Sequence, residues 1–162
     1  MKKLFALVMA VACLAFAASA NAAGMIKVGG GIYFDENPIG GMISVDIPVG
    51  EGGLAISPFG EVFYKDILKL YNGGVNVIMK RPAGENAKIY FGAGGGFSKV
   101  EIDLGIVSAS SSEFMADGVA GIEFSVGESM AIFAQGKWIG TFGDAEARNF
   151  AAQAGIAFSF GE

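Results

Sequence analysis

Apolar residues alternate with small or polar ones along most of the chain, with a period of two rather than 3.6. Eight runs carry the pattern. Ile26, Val28, Gly30, Ile32 and Phe34 share one face of the first, before a turn at Asn37-Pro38. Ile39, Gly41, Ile43, Val45, Ile47 and Val49 align in the second, which Gly50-Glu51-Gly52-Gly53 ends. The third aligns Leu54, Ile56, Pro58, Gly60, Val62 and Tyr64. The fourth aligns Tyr71, Gly73, Val75, Val77 and Met79, with a turn over Arg81 to Asn86. Ile89, Phe91, Ala93, Gly95 and Phe97 make the fifth, and a polar loop is expected around Ser108 to Ser112. The sixth aligns Phe114, Ala116, Gly118, Ala120, Ile122, Phe124 and Val126, with a turn at Gly127-Glu128-Ser129. Met130, Ile132, Ala134, Gly136, Trp138, Gly140 and Phe142 form the seventh, before a turn at Gly143-Asp144-Ala145. Phe150, Ala152, Ala154, Ile156, Phe158 and Phe160 form the eighth.

The pattern predicts eight antiparallel strands. Their lengths suit tilted membrane strands of about 9–11 residues better than soluble strands of about 5–6. Two places break the rule. Pro58 has no N–H for a ladder, so a bulge or local break is expected there, with the apolar face flipping to Phe59 and Phe63. Ile67, Leu68 and Leu70 ignore the alternation altogether.

The opposite parity carries Lys27, Tyr33, Asp46, Glu61, Asn76, Lys80, Lys88, Tyr90, Asp117, Glu123, Gln135, Lys137 and Gln153. Small residues such as Gly92, Gly94, Gly96 and Ser98 lie between them. That composition suits the inside of an eight-stranded barrel, which side chains just fill. Lys27, Glu61, Lys80, Lys88, Asp117, Glu123, Gln135 and Lys137 are then expected to form a lumenal polar network. Parity alone does not say which face is inside, and a soluble lipid carrier would reverse it. The apolar faces carry no charge, and a charge at a bilayer midplane costs about 2–4 kcal/mol, so the apolar face is read as outward.

Aromatics gather toward run ends, as interface girdles do. Phe34, Tyr64, Tyr71, Phe114, Trp138, Phe142 and Phe150 fall at one end, and Phe91, Phe124, Phe158 and Phe160 at the other.

The first 22 residues stand apart. Lys2 and Lys3 precede an apolar run from Leu4 to Ala18, and Ala20-Asn21-Ala22 is a small-x-small cleavage site. Residues 1–22 are read as a signal peptide and 23–162 as one barrel domain. A retained membrane anchor or a lipidated Cys13 is the weaker reading. Cys13 is the single cysteine, so the mature chain offers no disulfide or thiol chemistry. Lys2 and Lys3 are two of 11 basic residues; the remaining 9 face 16 acidic ones, a formal charge of −7. That balance opposes nucleic-acid binding.

Three stretches resemble the small eight-stranded outer-membrane barrels of the OmpA-barrel, OmpX and opacity-protein type. They are Tyr90 to Ser98, Gly118 to Trp138, and the alternating end Ile156, Phe158, Phe160. The resemblance implies an up-and-down transmembrane barrel in a Gram-negative outer membrane, with both termini periplasmic. It implies outer connections near Glu36, Asp66, Val107 and Asp144, and periplasmic turns near Gly50, Gly84 and Gly127. It also implies contact with outer-membrane lipid and lipopolysaccharide, and insertion by the barrel-assembly machinery through the C-terminal strand. Gly161 and Glu162 depart from the family's usual aromatic terminus.

With no histidine, a Ser-His-Asp triad or histidine metal site is impossible. Glu61, Asp117 and Glu123 could act as acid–base carboxylates, but ion pairing with Lys27, Lys80, Lys88 and Lys137 is the plainer expectation. Gly29-Gly30-Gly31 and the Gly92–Gly96 stretch lack phosphate-loop spacing. Asp35, Glu36, Asp144 and Glu146 are loop acids that could meet divalent cations, and are read as solvated. The sequence therefore points to a non-enzymatic barrel without cofactor or metal, with a structural or narrow-pore role. The alternatives are an adhesin or ligand-binding barrel working through its loops, and a soluble periplasmic lipid carrier.

Overall fold

A computed structural model of the chain describes residues 23–103, 108–143 and 147–161. The expected signal segment and the loop centres Val107 and Asp144 lie outside these residues.

Eight strands follow one another: β1 (Gly24–Tyr33), β2 (Ile39–Pro48), β3 (Leu54–Lys65), β4 (Leu68–Pro82), β5 (Ala87–Asp103), β6 (Ser108–Ser125), β7 (Met130–Phe142) and β8 (Ala147–Phe160). Each pairs antiparallel with the next, and β1 pairs with β8 to close the barrel. The connections are short. Asp66 turns the β3–β4 hairpin in the left-handed region, φ 50°, and Glu36 and Asn37 do the same between β1 and β2; Asp and Asn tolerate that region better than most residues.

Parity decides direction. Ile43, Val77, Phe91 and Ile132 are each about half exposed, at 51%, 51%, 55% and 48%. Their sequence neighbours face the lumen, where Lys27, Asp46, Glu61, Asp117, Glu123 and Lys137 are buried. Outward charges in the described residues, such as Lys69, Arg81, Lys99 and Arg148, sit toward strand ends. An apolar exterior around a charged interior is the arrangement of a lipid-facing barrel. It overturns the soluble-carrier alternative, which needs the inverse.

The expected flip after Pro58 does not occur. Phe59 and Phe63 are lumenal, buried on the same parity as Ala55, Ser57 and Glu61. The β2–β3 ladder pairs Ser44 with Phe59 and resumes in the same register at Ile47 with Ile56. Pro58 therefore interrupts pairing without inserting a residue; its other edge still pairs with Val75 of β4.

The loop expected around Ser108 to Ser112 is strand. Pairing runs from Ala87↔Phe124 out to Asp103↔Ser108, so β5 and β6 form the tallest hairpin. Its outer part alternates no apolar residues toward lipid, because it stands beyond the apolar belt and needs none. Leu68 and Leu70 belong to β4 on the inward parity, which explains why they broke the alternation.

The lumen is more apolar than its sequence parity suggested. Tyr33, Phe59, Phe63, Met115, Ile139 and Ala151 pack together toward the end away from the termini. Met42, Ala131, Phe133 and Ala157 form a second cluster toward the termini. Ala55, Ile78, Tyr90 and Val119 form a third.

Candidate functional site in the barrel lumen

Two layers of charge lie among these apolar clusters. The layer nearer the termini joins four strands. Lys27 of β1 lies 2.9 Å from Asp46 Oδ2 and 2.7 Å from Glu123 Oε1. Lys80 of β4 lies 2.7 Å from Asp46 Oδ2 and 2.8 Å from Glu123 Oε1. Two ammoniums and two carboxylates thus alternate in a closed ring with no net charge. Ser57 donates to the other oxygen of Asp46 at 2.7 Å. The Lys27 ammonium also sits 3.8 Å from the centre of the Tyr90 ring, a cation–π contact that strengthens when water is excluded.

The middle layer is built around Glu61 of β3. Its Oε1 accepts Lys137 at 2.8 Å and Gln153 at 2.9 Å. Its Oε2 accepts Asn72 at 3.0 Å and Tyr33 at 3.5 Å; Asn72 also donates to the Tyr33 hydroxyl. Lys137 reaches Asp117 at 3.5 Å and lies 3.4 Å from the centre of the Phe59 ring. Asn76 donates to Asp117 at 2.9 Å. Gln135 accepts from Tyr90 at 2.7 Å and donates to Gln153 at 2.5 Å.

Charged groups persist in such a place only when paired and hydrogen-bonded. Small residues make the pairing possible: Tyr90 lies over Gly121, and Phe133 lies over Gly29 and Gly155. A cavity of about 20 Å³ remains between the layers, lined by Lys27, Ser57, Glu61, Asn76 and Lys137 among others. A site of that size holds about one water.

The structure brings together Lys27, Glu61, Lys80, Asp117, Glu123, Gln135 and Lys137, seven of the eight residues expected in the network. Lys88 is the exception. It shares their parity but is exposed near the start of β5, and no ion pair among the described residues includes it. Tyr33, Asp46, Asn76 and Gln153, expected on the same face but not in the network, belong to it as well, and so does Asn72, which the sequence reading does not single out. Asp46 shares the parity of Met42 and Ser44 in β2, which is the signal that places it in the lumen. Among the described residues no group of three His, Cys, Asp or Glu could hold a metal ion.

Of the aromatics, Phe34, Tyr64, Phe91, Phe114, Phe124, Phe142, Phe150 and Phe158 are exposed on the outer face. Tyr71, Trp138 and Phe160 are partly buried there. Tyr64 and Tyr71 meet edge to face at 6.4 Å, and the Phe160 ring covers Gly24.

No protein-family model matches the sequence, and no curated protein matches it significantly. Solved structures do match. Neisserial surface protein A aligns at TM-score 0.67 and 17% identity, over 85% of this chain and 94% of that one. The N-terminal β-barrel domain of Pseudomonas aeruginosa OprF aligns at 0.62 and 20%, over 86% and 98%. Ail, the attachment invasion locus protein of Yersinia pestis, aligns at 0.62 and 15%, over 86% and 99%. The likeness is one of fold: an eight-stranded antiparallel barrel of the small outer-membrane type.

Proposed function

We propose that the protein is a sealed, non-enzymatic barrel of the outer membrane with a structural role in the envelope. Conductance arises only when lumenal ion pairs part. The supporting observation is the filled lumen: two charge layers and three apolar clusters leave a cavity of about 20 Å³. The same enclosure argues against catalysis, since Glu61, Asp117 and Glu123 are buried against lysines and offer a substrate no approach. The apolar belt meets membrane lipid, and on the outer leaflet lipopolysaccharide. The edge of β8, ending Ile156, Phe158, Phe160, is the part offered to the insertion machinery.

Planar-bilayer recording tests this reading. The wild-type barrel is expected to stay closed for long periods, and Lys137→Ala and Glu123→Ala to open more often. A steady wild-type conductance, unchanged in both variants, overturns it.

A loop-borne adhesive role has weaker support. Ail has been solved with the heparin analogue sucrose octasulfate. In this chain the described residues at the end away from the termini include Asp35, Glu36, Asp66, Glu101, Asp103 and Glu113 against Lys65, Lys69, Lys99 and Arg148. That excess of acid opposes attraction of a polyanion. Replacing residues 106–112 by a short linker is expected to leave host-cell binding unchanged; loss of binding favours the adhesive reading.

A further inference from the structure

We infer that the middle of the lumen is a proton-binding site and that Asp117 holds the proton. The inference does not depend on whether the barrel conducts.

Charge counting comes first. The layer nearer the termini is closed, two ammoniums against two carboxylates. The middle layer is not. Glu61 and Asp117 share the single ammonium of Lys137, and share it unequally, at 2.8 Å and 3.5 Å. Both carboxylates and the lysine are almost fully buried, inside a wall whose outer face is apolar. A buried charge without a counter-charge neutralises itself rather than persist.

The orphaned polar atoms supply an independent observation. Asp117 Oδ1, Asn72 Oδ1 and Asn76 Oδ1 are buried without a hydrogen-bond partner, and every one is an acceptor. A fourth such oxygen, Asp46 Oδ2, is held by Lys27 and Lys80. Among protein groups the middle layer is therefore short of donors as well as of positive charge. A proton on Asp117 Oδ1 supplies both, since it cancels the excess charge and turns an acceptor into a donor.

Glu61 is not the holder. Lys137, Gln153, Asn72 and Tyr33 all donate to it, which fixes it as the carboxylate. Asp117 receives Asn76 from β4 at 2.9 Å and the distant Lys137 from β7. Gly94 of β5 and Met115 and Val119 of its own strand add no charge. A metal ion has no room there: the small cavity is lined by Asn76 and Glu61 but not by Asp117, and its wall includes two lysines.

The test compares wild type with Asp117→Asn in lipid vesicles at neutral pH, with heat-modifiable gel migration showing that each is folded. Infrared spectra of the wild type are expected to show a protonated-carboxyl band that isotopic labelling of aspartate carboxyls displaces. Asp117→Asn is expected to lack the band, and Glu61→Gln to keep it. A wild type without the band, or a band that survives Asp117→Asn, overturns the inference.

Stability against pH gives a second readout. The folded chain keeps a proton that the unfolded chain releases above about pH 4, so stability falls as pH rises until the folded state also loses it. Relative to Asp117→Asn, the wild-type folding constant is expected to drop about tenfold per pH unit in that window. Parallel pH profiles overturn the assignment. If Asp117→Asn fails to fold, Asp46→Asn decides: a labelled band that persists in it supports the assignment, and its loss overturns it.

Discussion

Tyr90 and Gln135 hydrogen-bond at 2.7 Å although their strands, β5 and β7, are not paired in the sheet. The phenol crosses β6 where it has no side chain, at Gly121; a Cβ there would lie 2.5 Å from the ring and its hydroxyl. Gly121→Ala is therefore expected to displace Tyr90 and break the bond, costing about 1–3 kcal/mol as an overpacked core does. Gly136 has open space around it, so Gly136→Ala is expected to change stability by no more than about 0.5 kcal/mol. Urea unfolding in vesicles separates the two.

Lys137 is the single ammonium beside Glu61, and removing it strands that buried carboxylate. Lys137→Met is expected to cost about 3–5 kcal/mol. Lys65→Met removes the pair with Glu36, whose side chains are 39% and 71% exposed, and is expected to cost at most about 1 kcal/mol. Equal losses in unfolding midpoint would contradict the buried network.

The closed ring near the termini makes a different forecast. Lys27→Met leaves its two carboxylates with one lysine. Adding Glu123→Gln removes the surplus charge. The double variant is expected to be more stable than the sum of the single losses, by about 0.5–3 kcal/mol in a double-mutant cycle. Additive losses would show that the four groups do not act together.

The exterior can be probed by depth. Val77 faces outward in mid-strand and Ser112 lies beyond Phe114 on the same parity as the belt. Val77→Lys is expected to cost about 2–4 kcal/mol and Ser112→Lys about 0–1 kcal/mol. Folding yield into vesicles, followed by urea titration, reads the difference.

Strand number and the side each residue faces were legible because a period of two records direction. Height was not, because periodicity carries no information about depth. Lys88 has the right parity and the wrong level, so it misses the ring that Lys80 joins. The outer part of β5 and β6 went unread for a related reason: Lys99, Glu101, Ser110 and Ser112 face outward where no lipid demands an apolar side chain. Pro58 breaks the β2–β3 ladder as its missing donor predicts, but the break carries no change of register or face. Its flanking pairs hold the register from both sides. Asn72 escaped because the fourth run was read from Tyr71 onward by its apolar parity, which passes over the partners of Glu61.

Seven of the eight seams join strands adjacent in sequence. The seam from Gly24↔Phe160 to Tyr33↔Ala151 joins the two ends of the chain. Loop closure on that scale is the costly step in ordering a chain. Neighbouring hairpins can form locally, so the final seam sets the cooperativity of assembly. Until it shuts, β1 and β8 are bare edges able to pair with another molecule. Weakening that seam would therefore be felt first as misassembly between copies, before any loss of the finished barrel.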